Sequence, residues 1–284
     1  MVPPFFSELL KEAKGILFNG YNFGVLKLDG RAKSEDGMSF TSSAKSKQDD
    51  GFIFGDLRFS YEYKGIYFYE KWSTNNRYKT EATLKNVIAD NIKNVLGGYF
   101  FTNSKEGRKA YSKNKFVFDP LALNLNIDTE GKLHVDASAL VIDNLAIGGA
   151  CDYNYNENEV QNYKVVARYQ VNEDIILGLQ YKKDNYYSGS VYYRTMPDLM
   201  TSVLVRGGGG GEEGGSGATT VGLGCKYKMD DVSSLMAKII STKEFGIAYH
   251  HRIHNASIGI SALFDCNDFQ NGNHKAGLCL RVEV

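Results

Sequence analysis

Asp36-Gly37, Asp50-Gly51 and Lys64-Gly65 fall at even fourteen-residue intervals, and the stretches between them alternate apolar and polar residues. That rhythm is how an up-and-down run of membrane-length β-strands joined by tight turns reads. Between Gly51 and Gly65, Leu57, Phe59, Tyr61 and Tyr63 share one face, while Asp56, Arg58, Ser60 and Glu62 share the other. Successive side chains of a strand point to opposite sides, so this strand meets oil on one side and water on the other. It cannot sit in a core buried on both faces.

The alternation returns downstream. Leu121, Leu123, Leu125 and Ile127 stand against Asn124, Asn126 and Asp128, and Leu133, Val135, Ala137 and Ala139 against Lys132, His134, Asp136 and Ser138. At the end, Leu278, Leu280, Val282 and Val284 alternate with Cys279, Arg281 and Glu283, so the last residue still belongs to a strand pattern. That is unusual unless the strand closes something. Setting aside about 25 N-terminal residues leaves roughly 260, and at about 14 residues per strand and turn this predicts 18 or 19 strands, each covering the ~10 residues needed to cross a bilayer. A sheet that large must close or expose sticky edges, and a ring of that size is too wide for side chains to fill, so it carries water. A soluble β-sandwich array alternates in the same way and stays open on pattern alone. The chain has only 4 Pro, with 19 Tyr, 16 Phe and the single Trp72 to supply aromatic girdles at two membrane interfaces.

No apolar run reaches the roughly 18 residues of a transmembrane helix, so spanning by helices is excluded. No secretory signal is present either, which points away from a bacterial outer membrane and toward an organelle that imports its β-barrels from the cytosol. Cys151, Cys225, Cys266 and Cys279 lack ligand spacing, and the five His residues are not spaced with carboxylates or thiols as a metal or nucleophile site needs. No catalytic residue, metal or cofactor is expected, and no nucleic-acid partner. The first twenty residues differ from all that follows. Phe6, Leu9, Leu10, Ala13 and Leu17 recur at helical spacing with Glu8, Lys11, Glu12 and Lys14 on the remaining surface, which predicts one amphipathic helix. Gly20-Tyr21-Asn22-Phe23-Gly24 then reads as a flexible link, dividing the chain into a helix and hinge over 1–24 and a barrel over 25–284.

The opening MVPPFFSELLKEAKGILFNGYNFGVLKLD, the segments FTSSAKSK and YEKWSTNN, the stretch YKMDDVSSLMAKI and the ending HKAGLCLRVEV resemble the mitochondrial voltage-dependent anion channel family, the eukaryotic porins of the outer membrane. The resemblance implies an all-β membrane protein: a 19-stranded transmembrane β-barrel with an N-terminal amphipathic helix inside the pore, conducting ATP, ADP, phosphate and NADH and closing under voltage. It also implies homo-oligomers and contacts with hexokinase and apoptosis regulators. The odd strand number comes from the resemblance and requires the first and last strands to pair in parallel.

Glu70 shares a face with Ile66, Phe68 and Trp72, so it points to lipid if that face is the outer one, and a carboxyl placed there is a functional hypothesis by default. In the resembling family the glutamate of this EKW segment faces the bilayer and is linked to gating, dimer contacts and lipid or hexokinase binding. Family nucleotide contacts map onto Lys11, with Lys14 as a second basic residue, while a further helix-end lysine is replaced by Asn19. Gly20 and Gly24 match the family's hinge, with Asn22 at its middle glycine. A nicotinamide-nucleotide site would fall on Glu244, Phe245, Gly246, Ser261, Ala262, Leu263, Phe264 and Asp265, although Glu244 takes an apolar position of the family.

The glycine-rich run from Arg206 through Gly217 lacks a GK[ST] ending and reads as a long mobile turn at one rim, where Glu212 and Glu213 would oppose anion entry. Lys plus Arg and Asp plus Glu both total 33, which predicts weak or altered anion selectivity. Two rivals remain: a docking protein of the same fold that conducts little, and a polypeptide import pore.

Overall fold

The computed structural model describes residues 3–48, 51–85, 91–101, 107–208, 219–270 and 272–284. A 3-10 turn (Phe6–Glu8) and the helix α1 (Lys11–Phe18) come first. The strands begin with β1 (Val25–Lys33), β2 (Ser39–Lys47), β3 (Ile53–Tyr63), β4 (Ile66–Ser73) and β5 (Arg77–Lys85). Next come β6 (Ile92–Phe101), β7 (Arg108–Phe118), β8 (Leu121–Asp128), β9 (Lys132–Ile142) and β10 (Leu145–Asn154). They continue as β11 (Glu159–Gln170), β12 (Ile175–Lys182), β13 (Tyr186–Met196), β14 (Leu199–Gly207) and β15 (Thr220–Lys228). The last four are β16 (Ser233–Ile240), β17 (Glu244–Ile253), β18 (Ala256–Asp265) and β19 (Lys275–Glu283).

Each strand pairs antiparallel with its chain neighbours, and β1 pairs in parallel with β19, so the 19-stranded sheet closes on itself. An odd number of alternating strands leaves the first and last pointing the same way, which makes a parallel seam unavoidable. Leu26 lies opposite Leu278 and Arg31 opposite Glu283. The final residue is held too, since the Val284 amide donates to the Arg31 carbonyl at 2.7 Å. Closure removes the unpaired edges that a sheet of this size would otherwise expose. A soluble sandwich array is thereby excluded. The hairpin turns use the dipeptides read from the sequence: Lys64 and Gly65 take φ of 49° and 76°, and Gly37 takes 81°. Positive φ at both central positions matches the twist of the flanking strands. Asp50 lies outside the described residues, as do Glu212, Glu213 and most of the glycine-rich run.

Register fixes which face looks inward. Ser138 and Ser202 donate their hydroxyls to the carbonyls of Pro4 and Ala13, so their faces of β9 and β14 look onto the N-terminal segment. Following the pairings round the ring from these two residues puts Lys45, Asp56, Arg58, Lys71, Lys79, Glu81 and Lys113 on the lumen side. The opposite positions are apolar and open: Leu57 and Trp72 are each 45% exposed, Ile260 54% and Leu179 66%. A continuous apolar band of that kind fits hydrocarbon as its solvent. Outward aromatic rows, Trp72 to Tyr78 at 5.5 Å and Tyr78 to Phe100 at 5.9 Å, lie near one rim of β4 to β6.

Candidate functional site

The sequence predicts one helix, and the structure divides it: the 3-10 turn packs on β9 and β10, and α1 packs on β13, β14 and β15. Both pieces lie in the lumen. The apolar stripe is what docks, with Leu9 at 0% and Leu17 at 1% exposure and Leu10, Ala13 and Ile16 buried beside them. The wall answers with small residues. A Cβ added at Gly148 would lie 2.8 Å from Leu9 Cδ1, and one at Gly224 would lie 2.9 Å from Leu17 Cδ2, so glycine is what lets the helix sit this close. Polar contacts fix its register: Arg168 donates to Glu12 at 3.2 Å and Lys14 donates to Gln180 at 2.9 Å.

Lys11 and Lys14 project from the free flank of this helix into a cavity of about 440 Å³. The cavity brings in two lysines that sequence reasoning missed, Lys164 and Lys182, together with Ser7 and Asn19. Lys164 and Lys182 stand directly opposite each other across β11 and β12. Facing like charges are unfavourable in a sheet, and an anion between them reverses the sign. The alternation alone gave each of them an inward side but not the helix as neighbour, because that neighbour is some 150 residues away in the chain.

The helix end and the link are fastened rather than loose. Lys238 Nζ donates to the Leu17 carbonyl at 3.0 Å and lies 4.5 Å and 5.0 Å from the ring centres of Tyr21 and Phe23. His250 Nε2 is 2.7 Å from the Gly20 carbonyl oxygen, and the Asn22 amide donates to Ser261 Oγ at 3.1 Å. Gly20 and Gly24 do take the positive φ a hinge needs, 87° and 66°. At Gly20 space is limiting as well, since an added Cβ would lie 2.9 Å from Met236 Sδ. A lone lysine within the apolar run Met236–Ile240 was the signal in the sequence for this clasp.

Glu70 lies on the outward face of β4, between Phe59 on β3 and Thr80 on β5 and within interaction range of the Tyr78 hydroxyl. Among the described residues only it and Arg108, the first residue of β7, are Asp, Glu, Lys or Arg on an outward strand position. The dinucleotide segment is split by its own pleat. Glu244, Gly246, Ser261, Leu263 and Asp265 share the inward face, whereas Phe245, Ala262 and Phe264 turn to the other side, with Phe245 and Phe264 stacked at 6.2 Å. A lumen solute can meet only the first group, and two of its members are already engaged. Ser261 holds Asn22, and Phe23 covers Gly246, where an added Cβ would meet its ring at 2.6 Å.

The wall of β4 to β7 carries an open, cationic inward face in which Lys71, Arg77, Lys79, Lys113 and Lys115 surround the single carboxylate Glu81. Glu81 accepts from Tyr111 at 2.6 Å and pairs with Lys79 at 2.8 Å and Lys113 at 3.3 Å.

A closed sheet with an apolar outer face, a charged lumen and a helix docked inside defines a pore-forming β-barrel membrane protein. The sequence profile of the eukaryotic porins matches residues 2–277, and the chain belongs to that family. The voltage-dependent anion-selective channel of Drosophila melanogaster is 29% identical over the whole of both chains. The non-selective voltage-gated ion channel VDAC2 of Meleagris gallopavo is 28% identical over 100% of this chain and 95% of that one. Among solved structures, a mutant Rh. blastica porin overlays with a TM-score of 0.52 at 10% identity, over 91% of this chain and 96% of its own, which is a likeness of fold.

Proposed function

We propose that the chain is a voltage-gated channel of the mitochondrial outer membrane that passes ions and small metabolites, with a moderate preference for anions. The closed ring with a water-facing, cation-rich interior carries this reading, in a chain of the eukaryotic porin family. The neutral sum of charges does not describe the lumen. Many balancing carboxylates, among them Glu35, Asp36, Asp143, Glu173, Asp174 and Asp231, sit in turns at the rims, while the interior of β4 to β7 is basic. Wall charges at close range set the potential felt by a permeating ion. Asp56, Glu81 and Asp136 on the inward face temper that field.

ATP, ADP, phosphate and NADH are the permeants the reading favours. The lysine cluster at the helix, Lys11 and Lys14 with Lys164 and Lys182, supports transient contact with their phosphates and offsets Asn19 at the helix end. Gating would work through the helix and its Lys238 and His250 clasp, with Gly20 and Gly24 as the points of rotation. The Glu70 face supports self-association and contact with hexokinase or apoptosis regulators. We read the chain as a pore rather than an enzyme.

Single-channel recording of the purified chain in a planar bilayer tests this. A stepwise conductance that falls at both positive and negative potentials, with a reversal potential displaced toward that of chloride in a salt gradient, is the expected result. A folded chain that inserts and conducts nothing would establish the docking reading instead.

A further inference from the structure

Roughly half-way round the ring from β14, near the mouth formed by the turn between β4 and β5, Arg77 stands at a junction of two cavities. The smaller one, about 240 Å³, is lined by Tyr69, Lys71, Ser73, Arg77, Lys79 and Tyr99 among others, and none of its lining residues is acidic. The Arg77 guanidinium lies 3.8 Å from the centre of the Tyr99 ring, which fixes its plane. Its Nε is buried and has no hydrogen-bond acceptor. The carboxylates nearby are already engaged: Asp56 holds Arg58 at 2.6 Å and Lys71 at 3.3 Å, and Glu81 holds Lys79 and Lys113, while of the three that line the larger cavity Asp128 accepts from the Glu130 and Lys132 amides, Glu130 pairs with Lys109 and Asp152 with His134. Among the described residues no carboxylate lies within ion-pair distance of Arg77.

A buried donor without an acceptor is costly, and the guanidinium presents its remaining donors in a planar fork that matches two oxygens of a phosphate. The ammonium groups of Lys71 and Lys79, which face each other one inward pair along β4 and β5, and the hydroxyl of Ser73, directly opposite Arg77, add donors for a tetrahedral dianion. We infer that Arg77, flanked by Lys71 and Lys79, forms a binding site for the phosphate group of small phosphorylated metabolites at this mouth of the pore. It is separate from the lysine cluster on the helix, and it would concentrate such solutes at the entrance on the wall that carries no helix.

The test adds inorganic phosphate to one side of a planar bilayer containing the full chain in potassium chloride, with potassium methanesulfonate at equal ionic strength as the control. Phosphate should reduce the chloride current saturably, and methanesulfonate should not. Arg77→Gln should raise the half-effect concentration at least ~5-fold, a loss of about 1 kcal/mol. Arg77→Lys should fall between, because it keeps the charge and loses the fork. If the glutamine variant fails to insert, the Arg77 Nε–H resonance of the unsubstituted chain in micelles gives the answer, since it should shift saturably with phosphate. Equal half-effect concentrations in the unsubstituted chain and Arg77→Gln, a strictly linear response, or an unmoved Nε–H signal would overturn the inference.

Discussion

The wall that holds the helix and the wall across the lumen share one strand geometry and differ in what they point inward. On β10 to β15 the inward positions include Ala146, Gly148, Val166, Ile176, Gly178, Leu204 and Gly224. On β2 to β5 they include Lys45, Asp56, Arg58, Lys71, Lys79 and Glu81. Both walls are apolar outside. An inward position is polar where its neighbour is water and small or apolar where its neighbour is the helix stripe. The alternation that is so clean in β3 therefore fades in β10, whose two faces both meet apolar surroundings.

The comparison breaks most readily at the helix. Leu17→Ala removes a side chain that is 1% exposed, and loss of a buried leucine costs about 2–5 kcal/mol. That should exceed what holds the helix locally while leaving the ring intact, so protease cleavage within residues 3–20 should accelerate at unchanged barrel melting. A smaller effect is expected on the open wall. Asp56→Asn removes a carboxylate that is 4% exposed and holds both Arg58 and Lys71. It should destabilise by about 1–3 kcal/mol in a detergent melt and move the reversal potential further toward anions.

Lys238→Met tests whether the clasp governs motion of the helix. It deletes a charged hydrogen bond and a cation over two rings, worth about 1–2 kcal/mol together, and should lower the voltage at which half the channels close. An unchanged voltage response would sever the clasp from gating. On the outer face the sign reverses. Glu70→Gln should stabilise the barrel by about 1 kcal/mol, because an ionisable carboxyl facing lipid is replaced by an amide that cannot ionise. Were melting, voltage response and dimer content all unaltered, Glu70 would have no role.

The smallest effect belongs to a turn. The Asp230 carboxyl accepts from the Val232 amide at 2.8 Å and the Ser233 amide at 2.5 Å, and these bonds, the Val232 one foremost, hold it below the usual carboxylate range. A depressed folded value means that the support is complete above the unfolded one and fades as pH falls through the folded one. The protection of the Val232 and Ser233 amides against hydrogen exchange, relative to the intrinsic rate at each pH, should stay flat through neutral pH and fall only below about pH 4.

Much of this was legible in the order of residues. The alternation around Leu57 to Tyr63 gave strands with one oily side, the run to Val284 gave a strand at the seam, and the parity of Ile66, Phe68, Glu70 and Trp72 gave the outward carboxyl. The helix was legible as a stripe from Phe6 to Leu17, but not its division into a 3-10 turn and α1. Period-two and period-3.6 patterns record which residues share a face, and local chain geometry enforces them. What lay beyond them were the pairings across the lumen: Lys11 and Lys14 with Lys164 and Lys182, Lys238 with Leu17, Arg77 on Tyr99, and the screening of Gly246 by Phe23.

The sequence by itself determined the kind of wall, the number of strands to within one, and the presence of a segment able to lie along that wall. Only the tertiary structure decided where that segment rests, which charges face the water and which carboxylates are left at the rims. The reason is that a face is a local property of a strand or helix, whereas the neighbour of that face is set by closure of the ring. Closure juxtaposes residues more than a hundred positions apart, and no periodicity carries that distance.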